Sequence, residues 1–321
     1  MEGNIVKTMI VGHAVGDALG VPVEFYPREK LQAHPVKDML GFGAIAMPQG
    51  SWSDATSLEL ACMDAMADSG FMDTKTIMQR FIDCMDKGVY TPDGEPIELG
   101  HSVRHALKKF RNGMPPHLCG GQGAMDNGCG ALMRMDPVVL YLYTHHGNDL
   151  DCEDMELIHT MSDLTNANPI SRICCGIYTL LCVELLHGTP LKQAVHIAIS
   201  TSKAFYDLLP TYEYGREMER VFERIQDKDG FHSLSESDIK SSGFVLDVLE
   251  AVFWVLLHTS SYEEAVIRAV NLGNNTNVAG AVTGSLAAVL YGKESIPNRW
   301  LKDLEGVDVL HIICDKFDDQ F

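Results

Sequence analysis

Residues 170–188 read ISRICCGIYTLLCVELLHG, and this stretch decides the fold class. It is apolar around nearly the whole helical circumference, which predicts a buried helix. Working outward, the stretches 57–70, 241–259 and 261–273 also carry apolar residues at helical spacing, and the last begins with a Ser cap and ends in Gly. Alternating strand patterns are scarce and no βαβ rhythm appears. The sequence therefore predicts an all-α protein with one domain over residues 1–321.

Composition restricts the possible partners and the compartment. The 321 residues contain 44 Asp and Glu against 25 Lys and Arg, a net charge of −19. Such an acidic surface repels nucleic acid and anionic membranes. No apolar run approaches the roughly 20 residues of a membrane helix, and the N-terminus lacks signal-peptide features. Nine cysteines without a C-x-x-C spacing indicate free, mostly buried thiols. We expect a cytoplasmic protein that binds neither nucleic acid nor membrane.

Loops rich in Gly and Pro lie at 41–53, 91–100 and 112–130, and we expect the functional site to be built from such loops. Four segments stand out, namely GDALGVPVEF (16–25), GSWSDATSLEL (50–60), DNGCGALMRMDP (126–137) and NLGNNTNVAG (271–280). Taken singly each is weak, because Asp17, Ser53 and Asp54 are ordinary helix caps. The glycine-rich turn at 126–130 leads into a helix whose N–H groups can hold phosphate oxygens.

Taken together and in this order, the four segments resemble those of the ADP-ribosylglycohydrolase family. The resemblance covers nearly all of residues 5–293 and includes DGEPIELG at 93–100. It implies an all-helical fold with a cleft where two Mg²⁺ ions and ADP-ribose bind. It also places Asn127, Gly128, Gly130 and Arg134 in the turn next to the diphosphate.

The sequence departs from the family at the positions that the resemblance assigns to magnesium. The usual W-[ST]-D-D-T reads Trp52-Ser53-Asp54-Ala55-Thr56, and the usual D-T-D-T reads Asn275-Thr276-Asn277-Val278. The family's T-H-x-H-P segment has Asn166 and Asn168 in place of both histidines, and Cys129 stands where asparagine is frequent. The resemblance thus makes six residues the remains of a metal site: Ser53, Asp54, Ala55, Asn275, Asn277 and Val278.

These losses weaken a site for a hard cation. Carboxylates supply most of the binding energy for Mg²⁺, and a paired site normally gathers about four of them. Asp54 remains, with Glu24 at the cleft edge as the second residual acid. We therefore expect no paired magnesium, no other cofactor and no catalytic residue in working order.

Three readings of the function stay open. The first is a non-catalytic, structural protein, as in the lens J-crystallins of jellyfish, which are similar to this family. The second is a binding module that holds ADP-ribose through Asn127, Gly128, Gly130 and Arg134 without cleaving it, although these residues can equally persist because they hold the turn. The third is a residual ADP-ribosyl hydrolase that uses Asp54 and Glu24.

Overall fold

The structure is a computed structural model that describes residues 4–209, 212–220 and 222–321. No β-strand occurs in these ranges, where only two isolated bridges pair Gly121 with Asn166 and Gly128 with Phe244. The same ranges contain seventeen α-helices: α1 Ile5–Gly20, α2 Arg28–Ala33, α3 Asp54–Ser69, α4 Thr74–Lys87, α5 His101–Arg111, α6 Asp136–His146, α7 Cys152–Asp163, α8 Pro169–Leu186, α9 Leu191–Leu208, α10 Tyr212–Arg220, α11 Glu223–Gln226, α12 Lys228–His232, α13 Val245–Leu257, α14 Tyr262–Asn271, α15 Thr276–Tyr291, α16 Asn298–Asp303 and α17 Val307–Gln320.

The four stretches that predicted helices are helical, so the predicted all-α class is confirmed. They correspond to α8, α13, α3 and α14. The Ser261 side chain accepts a hydrogen bond from the Glu264 N–H at the start of α14, as its sequence predicted. One hydrophobic core runs through the described residues. Residues 1–3, 210–211 and 221 of the predicted domain lie outside them.

Helix α8 has the length and composition of a membrane span, yet 83% of its 18 residues are buried inside the protein. It is therefore accounted for as a core helix. The cysteines predicted to be buried, Cys62, Cys84, Cys174, Cys175 and Cys182, are buried, and all nine cysteines are free thiols.

Helices α1 and α15 pack at the centre in antiparallel orientation and in unusually close contact. Gly12, Gly16 and Gly20 of α1 face Gly284, Gly280 and Thr276 of α15. A Cβ atom on Gly16 would lie only 2.1 Å from the carbonyl oxygen of Gly280. The Thr276 hydroxyl also donates a 2.7 Å hydrogen bond to the Gly20 carbonyl. This contact brings the GDALG segment next to the asparagine segment, although more than 250 residues separate them in the chain.

Candidate functional site

Asp17, on the last turn of α1, holds the start of α3. Its carboxylate is fully buried. It accepts hydrogen bonds from the Ser53 N–H (3.0 Å) and hydroxyl (2.7 Å), and from the Thr56 N–H (3.1 Å) and hydroxyl (2.7 Å). A carboxylate at a helix N-terminus satisfies backbone N–H groups that have no partner within the helix. Asp17 thus caps the start of α3 and fixes Ser53 and Asp54 in place.

One cleft of about 820 Å³ brings the four sequence segments together. Cys129 lines it, and so do eight of the eleven positions predicted for catalysis, ADP-ribose or metal: Glu24, Ser53, Asp54, Gly128, Gly130, Asn275, Asn277 and Val278. Three others do not line it. Ala55 and Arg134 are fully buried, and Asn127 is 5% exposed.

Two carboxyl groups predicted as residual catalytic candidates face this cleft. The Asp54 carboxylate accepts a 3.0 Å hydrogen bond from the Gly100 N–H. Burial, assisted by the charge of Asp17, raises the pKa of Asp54 to about 6. Burial, and then the charges of Asp54 and Asp17, raises the pKa of Glu24 to about 8. At neutral pH Asp54 is therefore mainly ionised and Glu24 mainly protonated.

The asparagines that replace the family's aspartates make hydrogen bonds to protein atoms. The Asn277 amide donates to the Ser53 hydroxyl oxygen at 3.2 Å, and the Asn275 amide donates to the Cys129 sulfur at 3.4 Å. The Asn277 carbonyl oxygen is buried without a hydrogen-bond partner. The side chains of Ala55 and Val278 have no atom that could coordinate a metal ion.

This donor set does not fit two Mg²⁺ ions. Among the six former metal positions Asp54 is the one carboxylate, and it already accepts the Gly100 N–H. The Ser53 hydroxyl is also engaged, since it donates to Asp17 and accepts from Asn277 and the Ala55 N–H. Two divalent cations need several carboxylates to offset their mutual repulsion.

The turn at 127–134 divides into cleft-facing glycines and buried anchors. Arg134 donates hydrogen bonds to the carbonyls of Gly130 and, at 3.0 Å, of Met161. Asn127 accepts from the Ser171 hydroxyl at 3.1 Å. Both side chains thus hold the turn, while the backbone of Gly128 and Gly130 faces the cleft.

Asn166 and Asn168 also have structural partners. Asn166 donates to the Asp126 carbonyl at 2.7 Å, and Asn168 donates to the Gln122 carbonyl at 2.9 Å. The Asn168 side chain additionally caps α8 by accepting from the Ile170 N–H at 3.1 Å. These amides therefore fasten the long loop at 112–130 to the start of α8.

Sequence reasoning missed several features of the cleft. The loop at 91–100 was expected to contribute to the site, but its individual residues were not singled out. It supplies the acidic rim residues Asp93, Glu95 and Glu98 and the Gly100 N–H that donates to Asp54. Phe25 lines the cleft with 71% of its surface exposed. The density of Pro and Gly indicated that this loop is functional, but no local signal indicated which of its residues line the cleft.

A family profile described as ADP-ribosylglycohydrolase matches residues 4–321. The chain belongs to the ADP-ribosylglycohydrolase family. It is 27% identical over 299 residues to the ADP-ribosylarginine hydrolase Tri1 of Serratia proteamaculans (strain 568), covering 93% of this chain and 74% of that protein. It is 25% identical over 297 residues to the ADP-ribosyl-[dinitrogen reductase] glycohydrolase of Rhodospirillum rubrum, covering 92% of this chain and 88% of that one.

A solved structure supports the same assignment. A chain described as an ADP-ribosylglycohydrolase-related protein complex superposes with a TM-score of 0.78 at 27% identity, and the match covers 100% of both chains. The all-helical architecture expected from the resemblance is therefore that of the ADP-ribosylglycohydrolases. The cleft described above is built from the same segments that carried the family resemblance.

Proposed function

We propose that this protein is a non-hydrolysing, cytoplasmic member of the ADP-ribosylglycohydrolase family with a structural, crystallin-like role. One observation carries the proposal. The six former metal positions contain a single carboxylate, and both amides among them donate hydrogen bonds to protein atoms. Metal-assisted hydrolysis depends on cations that activate water and orient the substrate. A cleft with this donor set lacks the means to hold them.

The structural role is supported by the net charge of the protein and by the gain in stability expected when neutral residues replace the family's metal-binding aspartates. A net charge of −19 favours solubility at high concentration. Besides burial, the charge of Asp17 raises the pKa of Asp54, and the charges of Asp54 and Asp17 raise the pKa of Glu24. Additional aspartates at 55, 275 and 277 would increase this repulsion. Their replacement by neutral residues favours the folded state, as expected for a protein that no longer needs a strained site.

A second candidate is an ADP-ribose-binding protein without hydrolytic activity. The open cleft favours it, because about 820 Å³ falls within the range of small-molecule sites. Gly128 and Gly130 border this space, so a diphosphate can approach their backbone without a side chain of either residue in the way. ADP-ribose is the ligand class that the relatives' names indicate.

The test is release of ADP-ribose from an arginine-ADP-ribosylated peptide with and without Mg²⁺. We expect the wild-type protein to show no release above the protein-free reaction. The matched variant carries Ala55→Asp, Asn275→Asp, Asn277→Asp and Val278→Thr, and shows whether the scaffold accepts restored ligands. Magnesium-dependent release by the wild type that disappears in Asp54→Asn would overturn the proposal and establish the residual hydrolase.

A second measurement separates the structural role from ADP-ribose binding. Calorimetric titration with ADP-ribose, without metal, is expected to give no heat of binding if the fold is retained for a structural role alone. Saturable binding that weakens in Gly128→Val, whose added side chain projects toward the cleft, would favour the binding candidate. Light scattering of concentrated solutions then tests the structural role directly, since net repulsion between molecules is expected.

A further inference from the structure

Three polar side chains meet in the core, outside the cleft. They are His13 on α1, Glu59 on α3 and Asp136 at the first residue of α6, and each is at most 1% exposed. The His13 Nδ1 lies 3.2 Å from the Glu59 Oε2 and 3.5 Å from the Asp136 Oδ2. One ligand atom from each residue lies within 4.8 Å of the other two.

Hydrogen bonds leave much of this cluster unsatisfied. Both ring nitrogens of His13 and both carboxyl oxygens of Glu59 are buried without a hydrogen-bond partner. Buried polar atoms of folded proteins nearly always have partners. Asp136, in contrast, is held firmly, because the Tyr178 hydroxyl donates to its Oδ1 and the Ser285 hydroxyl donates to its Oδ2 at 2.5 Å. The unpartnered atoms of the other two residues therefore lie next to an oriented carboxylate.

Charge points in the same direction. If both carboxyl groups are ionised and the imidazole is neutral, the cluster carries two negative charges, and buried charges require compensation. A single divalent cation makes this group neutral and also supplies the missing partner of His13 and Glu59. Protonation of Glu59 is the rival arrangement, because burial raises the pKa of Glu59 well above its usual value. The metal content of the protein separates the two arrangements.

We propose that His13, Glu59 and Asp136 form a buried structural site for one divalent transition-metal cation of the Zn²⁺ class. Tetrahedral zinc has ligand bonds of about 2.0–2.1 Å, which places its ligands about 3.3 Å apart. The two separations from the His13 Nδ1, 3.2 and 3.5 Å, match this spacing. A nitrogen ligand and few oxygens favour zinc over magnesium or calcium, which prefer six or more oxygens.

The surrounding side chains complete the site. The second oxygen of Glu59 is buried and free, so a bidentate Glu59 supplies the fourth coordination position. Tyr178 and Ser285 orient Asp136, as outer-sphere hydrogen bonds do for metal ligands. Such a site ties α1, α3 and α6 together, one helical turn from Asp17, and is independent of the function proposed for the cleft. Since no ligand is more than 1% exposed, the ion enters during folding.

The test is metal content of the full chain, produced in medium supplemented with Zn²⁺ and dialysed extensively against EDTA in native buffer. We expect about one equivalent of zinc to remain per chain, because release requires unfolding. Protein unfolded and refolded with Co²⁺ is expected to show the intense visible absorption of four-coordinate cobalt. Absence of stoichiometric metal in both preparations would overturn the proposal and assign the cluster to shared protons.

Variants locate the ion. Glu59→Gln and Asp136→Asn are expected to lower the retained metal by at least about tenfold. The matched substitutions Glu24→Gln and Asp54→Asn, which change the same functional groups in the cleft, are expected to leave it unchanged. Metal lost in Asp54→Asn but kept in Glu59→Gln would place the ion in the cleft and refute the core site. If a core variant does not fold, the cobalt spectrum of the wild type decides between the sites. Intense absorption indicates the proposed four-coordinate core site, whereas six-coordinate cobalt absorbs weakly.

Discussion

The close contact between α1 and α15 makes Gly16→Ala the most informative perturbation of this fold. The added Cβ would lie 2.1 Å from the Gly280 carbonyl oxygen, whereas real Cβ atoms essentially never approach closer than 3.0 Å. The two helices must therefore move apart by at least about 0.9 Å. The obstructing atom belongs to the backbone of α15, so no rotamer change can absorb the movement.

The expected cost follows from these contacts. Overpacking of a well-packed core costs about 1–3 kcal/mol, and a clash with backbone lies at the upper end. The displacement also stretches two interhelical hydrogen bonds, Thr276 to the Gly20 carbonyl and Tyr262 to the Gly12 carbonyl, each worth about 1 kcal/mol. The higher helix propensity of Ala returns up to about 1 kcal/mol. We expect a net loss near 3 kcal/mol, or a Tm lower by about 4–5 °C for a chain of this length.

Urea unfolding followed by circular dichroism and scanning calorimetry measures both quantities. The control is Gly215→Ala on α10, where an added Cβ meets nothing closer than Asp207 Oδ1 at 4.0 Å. There the higher helix propensity is expected to raise stability by about 0.5–1 kcal/mol. If Gly16→Ala is as stable as the wild type, or gains stability as Gly215→Ala does, the close-packing argument is refuted.

Three further predictions concern buried ionisable groups. Asp17→Asn is expected to cost about 3 kcal/mol in urea unfolding, because the amide can accept only part of the four hydrogen bonds on the carboxylate; a loss below about 1 kcal/mol contradicts the cap. Burial raises the pKa of Glu24 to about 8 in the folded protein. As pH rises from about 4.5 to 8, Glu24 loses its proton in the unfolded chain but keeps it in the folded protein, so the free energy of unfolding falls. Glu24→Gln is then expected to raise the Tm relative to the wild type at pH 8 but not at pH 4, and an equal effect at both values refutes this. Burial lowers the pKa of His159 to about 4, so stability is present above about 6.5 and is lost as pH falls toward 4, by about 3 kcal/mol. His159→Gln is expected to flatten that part of the Tm–pH curve, and an unchanged slope excludes His159 as its source.

Much of the site could be predicted from single segments, because the ability of a side chain to bind a metal ion depends first on its residue type. The absence of carboxylates at 55, 275 and 277 is visible in the sequence and already argued against paired magnesium. What the sequence left open was whether the diphosphate turn survives for binding or for folding. The structure divides that turn, since Arg134 and Asn127 bind protein atoms while Gly128 and Gly130 border the cleft.

The helical class, the family and the loss of metal-binding charge could be predicted from the sequence, because apolar periodicity and residue identity are local properties. Which side chains meet became visible in the folded structure. Asp17 caps a helix that begins 37 residues later, and His13, Glu59 and Asp136 gather in the core from three separate helices. Such meetings depend on how closely helices approach and how they are rotated against each other. That geometry is set by packing between distant segments, with the glycines of α1 and α15 at its centre, and no local pattern encodes it.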